Sequence, residues 1–509
     1  MKIKKLICLF LIISMTVIPI MAGSCGDSNK PKDTDSNNNQ AGEENGEAAD
    51  SETPTETADE KAQYDPKFAP VDMQGYVFKI GTRDDDAPYH PYPVHTRDLY
   101  AEQINGDLIN DAVYQRNMAI EEKYNCKIEM DAFQESMSET TANEIVEKSV
   151  KAGDKSYDLL MSHMMHGFNT AVKGCFYNIA SFPNIDITKP YWNHGANEGC
   201  SVGNKLYVGL SDLSFSTNEN LYCIFFNKNF TRDYNIEDPY KLVSENKWTF
   251  DKFAELIKSG TVDLNGDGKW DDKDQYGYIS TAAVNFLWSG GGHMMKKDES
   301  DIPVIDFINE RTLSIYDKTF AIVNDANTYN KEAQWFTGDT RGGITMFDNA
   351  QGIFYGNQLC RVNELRNTEF DFGIVPYPKL DSAQERYYSY VDGHASMMTI
   401  PLNLPNPEWT GIIIEELSYM SYKDILPVYY DVVLNVKMVR DEESVEMLKI
   451  LFDSKVFDPA YVMGGEFWTM WLDNISQKKT DFVSTYEKRE ASVLKAIQKK
   501  VDTLLELEN

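Results

Sequence analysis

Two kinds of run alternate between Tyr76 and Met161, and their order restricts the fold more than any other feature of the chain. Tyr76 to Gly81 (YVFKIG) is strand-like, Leu108, Ala112, Val113, Met118, Ile120 and Tyr124 lie on one helical stripe, and Cys126 to Met130 (CKIEM) alternates. Thr141 to Lys151 returns to helical spacing, and Tyr157 to Met161 (YDLLM) is a short apolar strand. A parallel strand cannot follow its neighbour through a tight turn and needs a crossover, usually a helix. The β-α-β-α-β order therefore predicts an α/β lobe, a mainly parallel sheet flanked by helices, with ligands beyond the carboxyl ends of its strands. The same grammar restarts at Leu221 (LYCIFFNK) and runs through Phe372 to Pro376 (FGIVP), an extended return over 388–400 and a helix over 408–422. Two such regions predict two lobes around a cleft.

The chain ahead of the first strand differs in kind. Lys2, Lys4 and Lys5 precede an apolar run from Leu6 to Ile20, shorter than the ~20 residues of a membrane span, so residues 1–25 read as an export signal. Ala22, Gly23, Ser24 and Cys25 resemble a lipobox, which makes Cys25 the expected lipidated residue; ordinary signal-peptidase cleavage is the alternative. From Gly26 to Tyr64 there is no Val, Ile, Leu, Met or Phe. Such a segment has too little apolar surface to offset its ordering entropy, so residues 26–66 are expected to be a disordered acidic tether. The expected location is the extracellular face of the cell membrane, lipid-anchored without spanning it.

A formal net charge of −31 makes nucleic acid and anionic lipid poor partners, because phosphate binding needs a positive footprint. Seven cysteines without a CxxC predict buried small hydrophobes and no disulfide framework. The stretch from Trp248 to Tyr278 joins a short helix, capped by Thr249 and stopped by Gly260, to an oxygen-rich loop. Asp263, Asn265 and Asp267 recur every second residue, Gly268 follows, and Asp274 closes a twelve-residue window. This is close to the calcium-loop pattern, with Asp in place of the final Glu. Asp263, Asn265, Asp267, Lys269 and Asp274 are the expected ligands of a structural calcium ion. A solvated acidic turn is the plain alternative.

Segments 105–129 (NGDLINDAVYQRNMAIEEKYNCKIE), 189–193 (KPYWN), 221–230 (LYCIFFNKNF), 237–253 (EDPYKLVSENKWTFDKF), 371–379 (DFGIVPYPK) and 440–461 are similar to the family 1 extracellular solute-binding proteins of ABC importers, the group that includes maltose-binding protein. The resemblance covers nearly all of the chain beyond residue 70. It implies a two-lobed hinged clamshell that closes on a carbohydrate, most simply an oligosaccharide, and presents it as a monomer to permease subunits. By that analogy lobe 1 is 67–217 with 394–436 and lobe 2 is 218–393 with 437–509. The hinge then lies at 216–222 and 389–394.

Sugar recognition asks for aromatic faces and planar polar groups, so tryptophans beside small or polar residues at strand ends are the candidates. They are Ser162, Trp192, Asn193, Trp288, Gly291, Tyr355, Asn357 and Trp468, each tryptophan having a core reading beside the ligand one. His163 and His166 form HxxH, a weak metal signal without a third ligand. No G-x-S-x-G, Walker loop or dinucleotide fingerprint occurs, so an enzyme is not expected, although acids for a glycoside hydrolase are abundant. A peptide or other non-sugar solute is the competing ligand class. The run from Asp481 to Leu507 carries an apolar helical face expected to pack on lobe 2.

Overall fold

The computed structural model describes residues 58–85, 95–133, 141–332, 342–432 and 441–508. The signal, Cys25, the lipobox and most of the tether lie outside these residues, as does the lobe boundary expected between 436 and 437.

The first sheet has four strands, in the order Ser396–Thr399, Leu159–His163, Tyr76–Arg83, Cys126–Phe133. Tyr76 pairs with Cys126 and Ile80 with Leu159 in parallel, while Ser396 pairs antiparallel with His163. The parallel returns are made by helices, as the strand–helix alternation requires. Helix Leu108–Tyr124 starts where the Asp107 carboxylate accepts from the amides of Ile109 and Asn110, at 3.0 and 3.1 Å, and ends where Asn125 takes φ of 49°. Its buried stripe is Ile109, Val113, Ile120 and Tyr124, whereas Leu108 and Met118 face solvent. The expected stripe was off by part of a turn because Arg116 and Asn117 are buried too: Arg116 donates to Ser421 Oγ at 2.7 Å and to the Leu99 carbonyl at 2.9 Å.

The second sheet is mixed. Its order is Phe372–Val375, Tyr222–Asn227, Gly352–Gln358, Tyr276–Ser280, Thr328–Asn330, with the first two neighbouring pairs antiparallel and the last two parallel. Strand Tyr222–Asn227 is buried along its whole length, which explains its unbroken apolar run.

Two described segments cross between the sheets side by side. Leu221 bridges Val391 antiparallel, the Asp392 amide donates to the Asn220 carbonyl at 3.0 Å, and the Ser389 hydroxyl donates to the Tyr222 carbonyl at 2.6 Å.

Residues 58–66, expected to end the tether, are ordered. Ala58–Lys61 is helical, Ala62–Tyr64 forms a 3₁₀ turn, and Lys61 is buried with Nζ on the Tyr422 carbonyl at 2.9 Å and over the Tyr422 ring. The cation–π contact and the covered lysine stem supply the burial that the composition lacked. Their seat, Ser421–Ile425, is a π-helical turn interrupting the helical run 407–432.

Helix Phe482–Glu506 does more than close lobe 2. Phe482 stacks on Tyr316 at 4.5 Å, but Lys500 donates to Asn169 Oδ1 at 2.9 Å and Lys205 donates to the Leu505 carbonyl at 2.7 Å. At 1.5 Å per residue, 25 residues span about 37 Å, enough to reach the first lobe.

Candidate binding site at the lobe junction

Strands Tyr76–Arg83 and Leu159–His163 end at Arg83 and His163, and Ser396 pairs with His163, so the returning segment enters the first sheet at its carboxyl edge. In the second sheet the parallel strands end at Ser280 and Gln358, and Tyr222, where the outgoing segment enters, pairs with Gln358. The carboxyl edges of both sheets are therefore presented to the same pair of crossing segments. In α/β sheets this is where ligands bind.

The first edge is polar and interlocked with the crossing. Arg83 Nη2 donates to the His394 carbonyl and approaches Ser396 Oγ and His95 Nδ1, both at 3.3 Å. His95 Nδ1 lies 3.0 Å from Ser396 Oγ, and the Ser396 amide donates to Ser216 Oγ at 2.9 Å. Ser216 meets Ser214 at 2.9 Å, and Ser214 donates to Asp98 at 3.1 Å. Burial pushes the Asp98 carboxyl up to about 6, although Arg97, paired with Glu219 at 2.9 Å, opposes the shift. On the other side the Asp392 carboxylate holds the His394 ring and accepts from Tyr222 at 2.7 Å. Burial acts to raise its pKa, but His394 and these hydrogen bonds outweigh it and hold the carboxyl well below the carboxylate range.

Gly393 sits at a close approach within the crossing. A Cβ there would lie 2.7 Å from His163 Cε1 and 2.9 Å from the Tyr461 hydroxyl, which accepts from the Gly393 amide at 3.1 Å. His163 stacks on His166 at 4.4 Å between ring centres and meets His394 edge-on at 5.1 Å.

The second edge carries one buried acid: Ser280 donates to Glu332 at 2.6 Å, and burial pushes that carboxyl up to about 7. Thr281 donates to the Gly356 carbonyl, and Asn357 donates to Thr281 Oγ1 at 3.0 Å and to the Tyr355 hydroxyl. Beside it, Trp288, Tyr390 and Tyr222 form a stacked ladder with centre spacings of 4.2 and 5.4 Å, and Tyr461 packs edge-on against Tyr390 at 4.6 Å.

The expected site residues are distributed as follows. Ser162 and Asn357 lie at the two carboxyl edges, both buried. Trp192 is 1% exposed, with Nε1 on Glu415 at 3.1 Å, so its ring belongs to the first-lobe core. Burial pushes Glu415 up to about 7. Asn193 caps helix His194–Cys200 by accepting from the Ala196 amide at 2.9 Å. Trp288, also 1% exposed, donates to Asp458 at 3.0 Å, and Gly291 is covered by the Arg311 guanidinium. Tyr355 is wedged between Phe225 and Phe347 with only its hydroxyl directed at Asn357. Trp468 is half-buried, edge-on to Tyr461 at 5.9 Å. The aromatic surfaces expected to stack on a ligand are thus mostly taken by the core. Arg83, His95, Asp392 and His394 were not anticipated. Their signal was present: four of only seven histidines in the chain, at positions 95, 163, 166 and 394, meet here.

The acidic loop closes on itself through the Val262–Gln275 bridge, with Gly266 and Gly268 at φ of 69° and 74°. Asp263 accepts from the amides of Gly266 and Gly268 at 2.7 and 2.9 Å, Asn265 from Asp267, and Asp267 from Lys269. The buried Asp274 accepts from Leu264 and Asp271. The all-oxygen donor set fits a hard cation in its chemistry. Its carboxylates are turned onto the loop's own amides, and among the described residues no three His, Cys, Asp or Glu side chains are placed to hold a metal ion. The cysteines at 126, 175, 200, 223 and 360 are buried free thiols. No described helix is long and apolar enough to cross a membrane.

No family model matches the sequence, and no curated protein matches it. Solved structures do resemble the fold. A cyclo/maltodextrin-binding protein complexed with maltotetraose is 12% identical, with a TM-score of 0.53 over 85% of this chain and 97% of its own. A sugar transporter from Rhizobium etli in an open conformation is 12% identical, with a TM-score of 0.50 over 85% of this chain and 100% of its own. The chain shares the overall fold of these two proteins.

Proposed function

We propose that the protein is an extracellular solute-binding protein that captures a carbohydrate between its lobes and delivers it to an ABC importer. The observation that carries this reading is the convergence of both carboxyl edges, lined with hydroxyl-reading side chains, on one pair of crossing segments. The fold it shares with a protein complexed with maltotetraose supports the same reading. A ligand touching both edges stabilises the closed arrangement by its differential affinity, and no bond need be made or broken. In this reading the lobes divide at the Leu221–Val391 crossing, Cys25 carries the lipid anchor, permease subunits are the protein partners, and the protein acts as a monomer. Calcium, if bound at Asp263 to Asp274, draws the carboxylates off the loop amides and serves structure, not binding.

Calorimetric titration of residues 58–509 with neutral mono- and oligosaccharides is the test, each sugar being checked for chemical change afterwards. Saturable one-site binding with intact sugar is expected. Turnover would replace this reading with a hydrolase, and binding only to peptides would replace the ligand class.

A further inference from the structure

Away from the crossing, the lobes also meet where a hairpin of the second, Met295–Lys297 with Pro303–Ile305, is seated on a turn of the first at Ser201–Lys205. The hairpin turns through Asp298 and Asp301. The Asp298 carboxylate accepts from the amides of Ser300 and Ile302, both at 2.9 Å, and the Asp301 amide donates to the Asp298 carbonyl at 3.0 Å. Asp301 takes a left-handed φ of 60°, a conformation that glycine or asparagine adopts more easily. What the aspartate adds is a carboxylate directed at the first lobe. Its Oδ1 accepts from the Ser201 hydroxyl at 2.9 Å, its Oδ2 from the Asn204 amide at 2.8 Å, and its carbonyl from the Gly203 amide at 3.0 Å. Lys297 pairs with the same carboxylate at 2.9 Å and donates to the Ser201 carbonyl. The side chains of Lys297 and Asp301 are only 10% and 15% exposed, so water and salt weaken these charge-assisted bonds little. The receiving turn is left-handed as well, with φ of 60° at Gly203 and 61° at Asn204, and a Cβ at Gly203 would collide with the Leu505 side chain.

We propose that the seating of Asp301 and Lys297 on the Ser201–Asn204 turn is a clasp that must open before a solute enters or leaves the site, and that it sets the rate of both. The proposal rests on the two-lobed, carbohydrate-binding reading above. Arg83, Asp392 and Ser396 at one edge and Asn357 at the other are buried in this arrangement, so a ligand touching both edges reaches them only after the lobes part. Rotation about the Leu221–Val391 crossing shifts the lobes past each other away from that axis, and a hydrogen bond at 2.8 Å is lost once it stretches to about 3.6 Å. The clasp is therefore made with the lobes together and broken with them apart, whether or not ligand is present. With the clasped arrangement the major form of the free protein, weakening it raises the open fraction of the free protein and the opening rate of the complex by the same factor. Association and dissociation quicken together, and the equilibrium affinity changes little. Loss of a ligand-reading group has the opposite signature: affinity falls while entry is unchanged.

Asp301→Gly is the test, because glycine suits the left-handed turn and the change removes only the carboxylate. Stopped-flow fluorescence with whichever saccharide of the panel binds, starting with maltotetraose, should show both rate constants raised about tenfold and Kd moved by less than about threefold. Asp301→Asn keeps one acceptor oxygen and should fall between the variant and the parent. Small-angle scattering of the free protein supplies a readout that needs no ligand: Asp301→Gly should increase the radius of gyration. Unchanged rates with the sugar still bound, or an unchanged radius of gyration, overturn the clasp and leave the carbohydrate reading standing. Weaker affinity with an unchanged association rate also overturns it, by placing Asp301 among the ligand-reading groups. If no saccharide binds either protein, the carbohydrate reading falls and scattering alone decides the clasp, expansion supporting it and constancy overturning it.

Discussion

The two sheets meet the crossing segments with unlike chemistry. The edge of the first is charged, rich in imidazole and tied to the crossing itself, through Arg83, His95 and Ser396. The edge of the second is satisfied within its own lobe, through Thr281, Tyr355 and Asn357 and through Glu332 on Ser280. The contrast separates two tasks that one cleft must perform. A wall hydrogen-bonded to the crossing registers any shift of the crossing in its own side chains, whereas a wall bonded to itself keeps its groups in fixed relation to one another.

The largest effect that would break this contrast is expected at Asp392. Asp392→Ala leaves His394 and Tyr222 without their buried acceptor and should cost about 3–5 kcal/mol at pH 7, measured by urea unfolding. Because the folded carboxyl titrates below its unfolded value, its contribution is complete above about pH 4 and is lost as the pH falls further, so the two stability curves should converge only under strongly acid conditions. An equal gap at every pH would refute the charge-based account. Gly393→Ala comes next, at about 1–3 kcal/mol, since its methyl displaces His163 or Tyr461. A cost below a few tenths would show that the crossing has slack.

Calcium sharpens the comparison from the second lobe alone. At 5 mM it should add about 1–2 kcal/mol, read as a rise in melting temperature, if affinity is of the extracellular grade. Asp263→Asn should abolish the rise and leave sugar affinity unchanged. The smallest expected effect is that of Asn357→Ala, about 1 kcal/mol in stability, with weaker sugar binding and an Asp392→Ala stability cost that is unchanged in its background. A changed cost would mean that the edges do not act separately.

Much of this arrangement was legible in the residues. The strands at 76, 126, 159, 222 and 372 announced themselves because fully or half-buried strands carry apolar runs or alternation, and the helix caps Asp107 and Thr249 carry local signals. Parity in the second sheet was not legible, since nothing in Tyr222–Asn227 distinguishes an antiparallel neighbour from a parallel one once both faces are buried. Tryptophans misled because an indole beside a strand end suits a core or a ligand equally, and Trp192 and Trp288 each find a buried carboxylate, Glu415 and Asp458, far away in sequence. The polar cluster at the first edge was missed for the same reason of distance: Arg83 and His394 lie 311 residues apart, and no local pattern joins them.

The docking of Lys61 and Tyr64 on the π-helical turn at Tyr422 has a mechanical corollary. Whatever restrains the preceding chain pulls on the first lobe and not on the second. In a hinged body that makes the first lobe the stator and the second the rotor, so the edge carrying Arg83 and Ser396 stays with the mooring point while the edge carrying Thr281 and Asn357 swings toward it.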